Sequence, residues 1–256
     1  MIITIANQKG GVGKTTSVLN IGVYLASVGK KVLLLDLDPQ GNLTSGLGIR
    51  LKKENGDQLP SIYNVLIGKQ KVTEVFLITN VENLYIVPAN ISLAGAEIEL
   101  VNQISRESKL KGVLSEIKDQ YDYIIIDSPP SLGLLTINAL VASDKVIVPV
   151  QCEYYALEGI SQLLDTIKLV KDSLNPKLDS DGIVLTMYDS RTKLSESVAT
   201  DVKNFFPNQT FKSIIPRNVK LSEAPSFGKS IKEYDDSSIG ASAYKKLVEE
   251  FVLKYG

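Results

Sequence analysis

The sequence predicts an α/β fold built on a mostly parallel, twisted sheet with helices on both faces. Short apolar, β-branched runs alternate with helical stretches along the whole chain, the pattern of strands covered on two sides. The first run passes through a glycine-rich loop directly into a helix. The chain has 256 residues, 44% hydrophobic and 22% charged, which suits one sizeable domain with a real core. No Pro/Gly/Ser-rich linker, low-complexity tract or internal repeat divides it, so one domain over residues 1–256 is expected.

In chain order, the strand candidates are Ile2–Ala6, Lys31–Asp36, Leu84–Pro88, Tyr123–Asp127, Lys145–Val150, Gly182–Met187 and Thr210–Ile215. The helix candidates are Lys14–Val28, Leu93–Gln120 with a break near Ser105–Ser108, Leu134–Ala142, Leu157–Leu174, Ser195–Phe206 and Ala241–Lys254. Gly29 reads as a C-cap, and Asn175-Pro176 ends the long central helix. Between Leu51 and Val81 the pattern is less regular. Lys52–Leu59 reads as an exposed loop and Ser61–Leu66 as a short helix, with no chemical role assigned to either.

Composition removes several classes of function. One cysteine, Cys152, excludes an internal disulfide framework and a cysteine-built zinc or iron–sulfur site within one chain. With no histidine, the commonest metal ligand and general base are missing, so chemistry must rest on carboxylates, lysines, hydroxyls, backbone amides or a ligand-borne metal. No run of about 18 apolar residues is present to span a bilayer. The chain opens on a strand-like run instead of a charged leader, so a cytoplasmic location is expected.

The segment Lys9-Gly10-Gly11-Val12-Gly13-Lys14-Thr15-Thr16 lies where a phosphate-binding loop must, after a strand and opening a helix. Glycines let successive N–H groups curl toward phosphates, and the helix N-terminus adds partial positive charge. In such a loop Lys14 reaches the β- and γ-phosphates of ATP, the Thr15 hydroxyl ligates Mg²⁺, and Thr16 helps hold the α-phosphate. Gln8 stands where the common motif has its first glycine, and Lys9 is an added cation that suits a highly charged transition state.

These residues resemble the deviant Walker A motif of the ParA/MinD group of P-loop ATPases, and the likeness runs along nearly the whole chain. It is closest to the short, chromosomal-type ParA proteins called Soj. The resemblance implies that Lys9 acts across a nucleotide-sandwich homodimer formed in the ATP state.

Two further strand ends carry carboxylates, where α/β folds bind ligands. Asp36-Leu37-Asp38-Pro39-Gln40-Gly41-Asn42 resembles switch I, with Asp38 matching the residue that positions the attacking water; the bland alternative is a turn residue before proline. Tyr123–Ile126 runs into Asp127-Ser128-Pro129-Pro130-Ser131, a Walker B arrangement in which Asp127 binds Mg²⁺, often through water, and the prolines resemble switch II. Val148–Gly159, including Glu153, Tyr154 and Tyr155, resembles a family segment near the dimer face. Cys152 within it reads as a small buried residue, since no base or metal partner is evident.

Net charge is −1, but between Thr186 and Lys232 eight basic residues face four acidic ones. Charge alone leaves open a basic patch or a scattered solvated surface. The block Ile215–Lys229 is very similar to one in Soj-like proteins. The resemblance places Pro216 and Asn218 near the adenine, and makes Arg217, Lys220 and Arg191 contacts to non-specific double-stranded DNA. Asp236-Ser237-Ser238 stands where relatives often carry a basic residue. It further implies nucleoid association and a ParB-type partner that stimulates hydrolysis, with no helix-turn-helix extension before the phosphate loop. A MinD-type membrane ATPase is the alternative, but Tyr244–Tyr255 carries paired acids that anionic lipid would repel. An electron-transfer ATPase would need two cysteines per subunit.

Overall fold

The computed structural model describes residues 1–52, 58–154 and 156–256, apart from the side chains of Glu158 and Asp181. Of the Lys52–Leu59 loop expectation, positions 53–57 lie outside the described residues, as does Tyr155 of the segment after Val148. Among the described residues the strands are β1 (Ile2–Ile5), β2 (Val32–Asp36), β3 (Leu77–Ile78), β4 (Leu84–Val87), β5 (Tyr123–Asp127), β6 (Lys145–Gln151), β7 (Asp179–Tyr188) and β8 (Thr210–Pro216). They form one sheet in the order β3-β4-β2-β5-β1-β6-β7-β8. All neighbours are parallel except the short edge pair β3 and β4.

The helices are α1 (Lys14–Ser27), α2 (Asn42–Gly46), α3 (Ile62–Leu66), α4 (Leu93–Leu100), α5 (Lys109–Ser115), α6 (Leu134–Ala142), α7 (Ala156–Ser173), α8 (Lys193–Phe205), α9 (Val219–Glu223), α10 (Ile231–Asp235) and α11 (Ile239–Tyr255). Two-residue alternation along the central strands feeds a core on each face. Ile3, Ile5, Leu34 and Ile125 join residues of α1 and α11, including Leu25, Tyr244, Leu247 and Phe251. Leu33, Leu35, Ile124 and Ile126 join α3 to α6 on the opposite face. On that opposite side, Val146, Val148, Ile183 and Leu185 pack with residues of α6, α7 and α8. Strands buried on both faces have no polar alternate, which is why they read as continuous apolar runs.

The differences from the expected elements have local causes. The Leu93–Gln120 helix is interrupted earlier than expected, after Leu100, and Ser105 adopts φ +54 before the chain resumes as α5. Buried Asn138 of α6 organises the break: its amide donates to the Arg106 carbonyl at 2.8 Å and accepts from the Leu110 N–H at 3.1 Å. The β3 pair and the short helices α2, α9 and α10 were not expected, and pieces of two to five residues carry too little periodicity to be read. α7 ends at Ser173, and Asn175 donates to the carbonyls of Leu140 and Ser143, at 3.1 and 2.7 Å, tying that end to α6.

Because Asn138 serves one backbone group within the helix break and another at the start of α5, Asn138→Ala should cost about 2–4 kcal/mol. Urea unfolding should show a lower midpoint with an unchanged m-value.

Candidate functional site

The strand order places the ends of β1, β2 and β5 side by side, and their carboxyl ends open onto one cavity. Residues 6–13 leave β1 and curl before α1. Gly11 and Gly13 have φ +75 and +91, a backbone that side-chain-bearing residues rarely adopt, and Gly13 is the N-cap of α1. The curl is braced from beneath. The Thr186 hydroxyl donates to the Val12 carbonyl at 2.8 Å, and the Asn7 amide donates to the Pro149 carbonyl at 2.7 Å. This bracing leaves the first amides of α1 and the loop free to face the cavity.

That cavity has a volume of about 690 Å³ and is lined by Gly10, Gly11, Gly13, Lys14, Thr15, Thr16, Asp38, Gln40, Asn42 and Pro130, among others. A second cavity of about 160 Å³ shares Gly13, Thr16 and Met187 with it, and is lined further by Thr186, Pro216, Arg217, Asn218 and Tyr244. The structure therefore brings the phosphate-loop residues and Asp38 to one chamber, and Pro216 and Asn218 to its annex. Val12 is buried beneath the loop and contributes backbone only.

The electrostatics of the chamber are unusual. Asp127 is fully buried, and neither carboxylate oxygen has a hydrogen-bond partner; the Thr15 hydroxyl is close by without a bond of ordinary geometry. Burial pushes this carboxyl well above the usual carboxylate range, Asp36 on the adjoining strand raises it further, and Thr15 and Lys14 act in the opposite direction. Lys14 is also buried, and its ammonium donates to the Lys9 carbonyl at 3.1 Å. Burial lowers its pKa, against the attraction of Asp127 and Asp38. An unpartnered buried carboxylate beside a threonine hydroxyl is a set of hard oxygen donors, the chemistry that Mg²⁺ selects.

The other candidate residues are placed apart. The Lys9 ammonium meets the Glu153 carboxylate at 3.0 Å, both about half exposed. Arg191 is bidentate on Asp189, at 2.8 and 2.6 Å, and this guanidinium holds the Asp189 carboxyl down to about 2. Arg217 adds to the positive field on Asp189 and is itself exposed. Lys220 lies 3.5 Å from Glu223 and 5.4 Å from the Tyr234 ring centroid. Of these three basic residues Arg217 lines the smaller cavity, and Arg191 and Lys220 have acidic partners. Met187 was missed by sequence reasoning: it lines both cavities with φ +51, a conformation that no motif announces.

Comparison with known proteins shows what this geometry accompanies. Residues 1–180 match the family model described as AAA domain. The chain is 57% identical, over 249 residues and 97% of each chain, to the sporulation initiation inhibitor protein Soj of Bacillus subtilis. It is 51% identical to the chromosome-partitioning ATPase Soj of Treponema pallidum, over 99% of this chain and 98% of that one. The chain belongs to the Soj/ParA family. Among solved structures, cobyrinic acid a,c-diamide synthase from Mycobacterium smegmatis with bound ATP analog and magnesium is 40% identical. It superposes with a TM-score of 0.84, covering 98% of this chain and 93% of that one. The Soj/ParA resemblance read from the phosphate loop and the two aspartate strand ends is thereby established, and the α/β fold with it.

Cys152 of this Soj/ParA-family chain is buried at 2% exposure, and burial pushes its thiol up to about 11. At pH 8 a thiol reagent should label it at least roughly 100-fold more slowly in the native protein than in denaturant. Rapid labelling of the native state would contradict this burial.

Proposed function

We propose that the chain is an ATP-dependent DNA-partitioning switch, and the observation that carries this reading is the shared chamber. Its phosphate loop, Lys14 and Asp38 line one cavity with a smaller annex bordered by Pro216 and Asn218, and the buried Asp127 carboxylate lies within the field of Lys14. The Treponema relative named a chromosome-partitioning ATPase and the Mycobacterium structure holding an ATP analog and magnesium support it. The different activity in the name of the latter is not carried over; the nucleotide-binding geometry is what the two share.

In this reading Gly10, Gly11, Val12 and Gly13 present backbone amides to the phosphates, and Lys14 and Thr16 neutralise and orient them. Thr15 and Asp127 hold Mg²⁺, partly through water, which supplies charge neutralisation at the phosphates when bound. Asp38, 7% exposed and lining the cavity, orients the attacking water, while Pro216 and Asn218 border the adenine. Lys9 is turned to Glu153 on its own chain and stands exposed, ready to serve a second subunit's nucleotide in an ATP-state homodimer. Paired copies of Arg191, Arg217 and Lys220 then bind non-specific double-stranded DNA, so the protein gathers on the nucleoid. Hydrolysis, stimulated by a ParB-type partner, returns the monomer and releases the DNA.

The membrane alternative calls for a terminal helix free to meet lipid. Instead α11 packs onto β8 and α1 and buries Tyr244, Leu247, Val248, Phe251 and Tyr255. No helix among the described residues is long and apolar enough to cross a membrane.

Co-sedimentation with non-specific duplex DNA should show ATP-dependent binding that weakens steeply with salt. Arg217→Ala with Lys220→Ala should abolish it. Arg191→Ala should cost less, because Asp189 already offsets that charge, and Asp189→Asn should tighten binding. Removing one phosphate-neutralising side chain should reduce the log–log salt slope by about 0.9. Binding to anionic vesicles in the ATP state without DNA binding would overturn the reading in favour of a membrane ATPase.

A further inference from the structure

Asp36 is buried and accepts three hydrogen bonds, and beyond its effect on the Asp127 carboxyl it has been given no role in hydrolysis. It ends β2, in register with Asp127 on β5 and two residues before Asp38. One carboxylate oxygen accepts the Asp38 N–H at 3.2 Å. The other accepts both the Thr44 N–H, at 2.9 Å, and the Thr44 hydroxyl, at 2.6 Å. The Thr44 hydroxyl in turn accepts the Ala89 N–H at 3.1 Å.

This chain of bonds closes the loop between Asp38 and Thr44 on both sides. The Asp38 carboxylate accepts the Gln40 N–H at 2.9 Å, and the Asp38 carbonyl accepts the Gly41 N–H at the same distance. The loop lies directly on the connection after β4: a Cβ at Gly41 would stand 3.0 Å from the Ala89 carbonyl oxygen. Asp38 therefore sits on a loop anchored at one end to the Asp36 carboxylate and at the other, through Thr44, to both Asp36 and Ala89.

We propose that Asp36, acting through Thr44 and the Asp38 backbone, is the positioning residue that aims the Asp38 carboxylate at the attacking water. The inference rests on the reading of Asp38 given above. All three groups bonded to Asp36 are donors, since the Thr44 hydroxyl already accepts from Ala89. An asparagine at 36 keeps the shape but must turn its own N–H₂ toward one of these donors, releasing either the Asp38 side or the Thr44 side. A small displacement of a water-orienting group lowers turnover far more than nucleotide affinity, because the nucleotide is held by the phosphate loop.

The test is steady-state ATP hydrolysis by the full-length chain, with ADP affinity and thermal melting measured on the same samples. Asp36→Asn should lower kcat about 10- to 100-fold while the ADP Kd changes less than about 3-fold. Thr44→Val should lower kcat about 5-fold or more, and Thr44→Ser should recover most of it. Recovery by the hydroxyl alone separates aiming from bulk packing. Turnover within about 2-fold of the parent in Asp36→Asn, or in Thr44→Val should Asp36→Asn not fold, would overturn the proposal. So would kcat and ADP affinity falling together. Asp38→Ala keeps the two readings apart: full turnover in Asp38→Ala removes the role of Asp38 itself, whereas an inactive Asp38→Ala beside an active Asp36→Asn removes only that of Asp36.

Discussion

The nucleotide end of this molecule depends on one costly arrangement, a completely buried Asp127 carboxylate without a hydrogen bond, in register with a second buried carboxylate on the next strand. Isolated, such a group would cost several kcal/mol or take up a proton. It persists because the surrounding sheet leaves it nowhere to go. Asp127 pairs in register with Ile5 on one side and Asp36 on the other, and the residues before it are buried on both faces. The compensating charge comes from the loop: Lys14 is drawn into the protein at the start of α1, where Asp127 and Asp38 counter only part of the cost of its burial. A divalent cation beside Asp127 would relieve the same field by favouring the ionised carboxylate that burial disfavours. Stability given up at this point is supplied by the two apolar faces of the sheet.

The same logic explains which features were legible before the structure. Strands buried on both faces announce themselves as unbroken apolar runs, and seven of the eight were readable to within a few residues at either end. The glycine-rich loop was legible because it sits in one contiguous stretch, Lys9 to Thr16, and so were the positions of Asp127 at the end of β5 and Asp38 two residues after β2. What escaped were relations between distant segments. The bracing of Val12 by Thr186 joins residues 174 apart, and the left-handed Met187 has no side-chain signal. Asp36 belongs to a legible motif, but its bonds to Thr44 and, through it, to Ala89 depend on β2 and β4 being neighbours. The partial neutralisation of Arg191 by Asp189 could not be read either, because both residues simply counted toward a local charge excess.

If the proposed reading holds, that neutralisation bears on how a DNA-binding switch is built from a chain of net charge −1. In one subunit, Arg191 is engaged by Asp189 and Lys220 lies near Glu223, so the positive field that a single copy offers to phosphates is modest. A strongly basic surface would bind DNA in every nucleotide state, and hydrolysis could not release it. Weak individual patches change the arithmetic. Joining two of them makes the second binding event intramolecular, which can raise overall affinity by about 10²–10⁴ with no change in either patch. On the proposed reading, ATP need not alter the patches themselves. It has only to hold two copies together, and the acidic partners of Arg191 and Lys220 keep the separated copies below the threshold for binding. The acidic residues in this region are then part of the switch, because they set the difference between one patch and two.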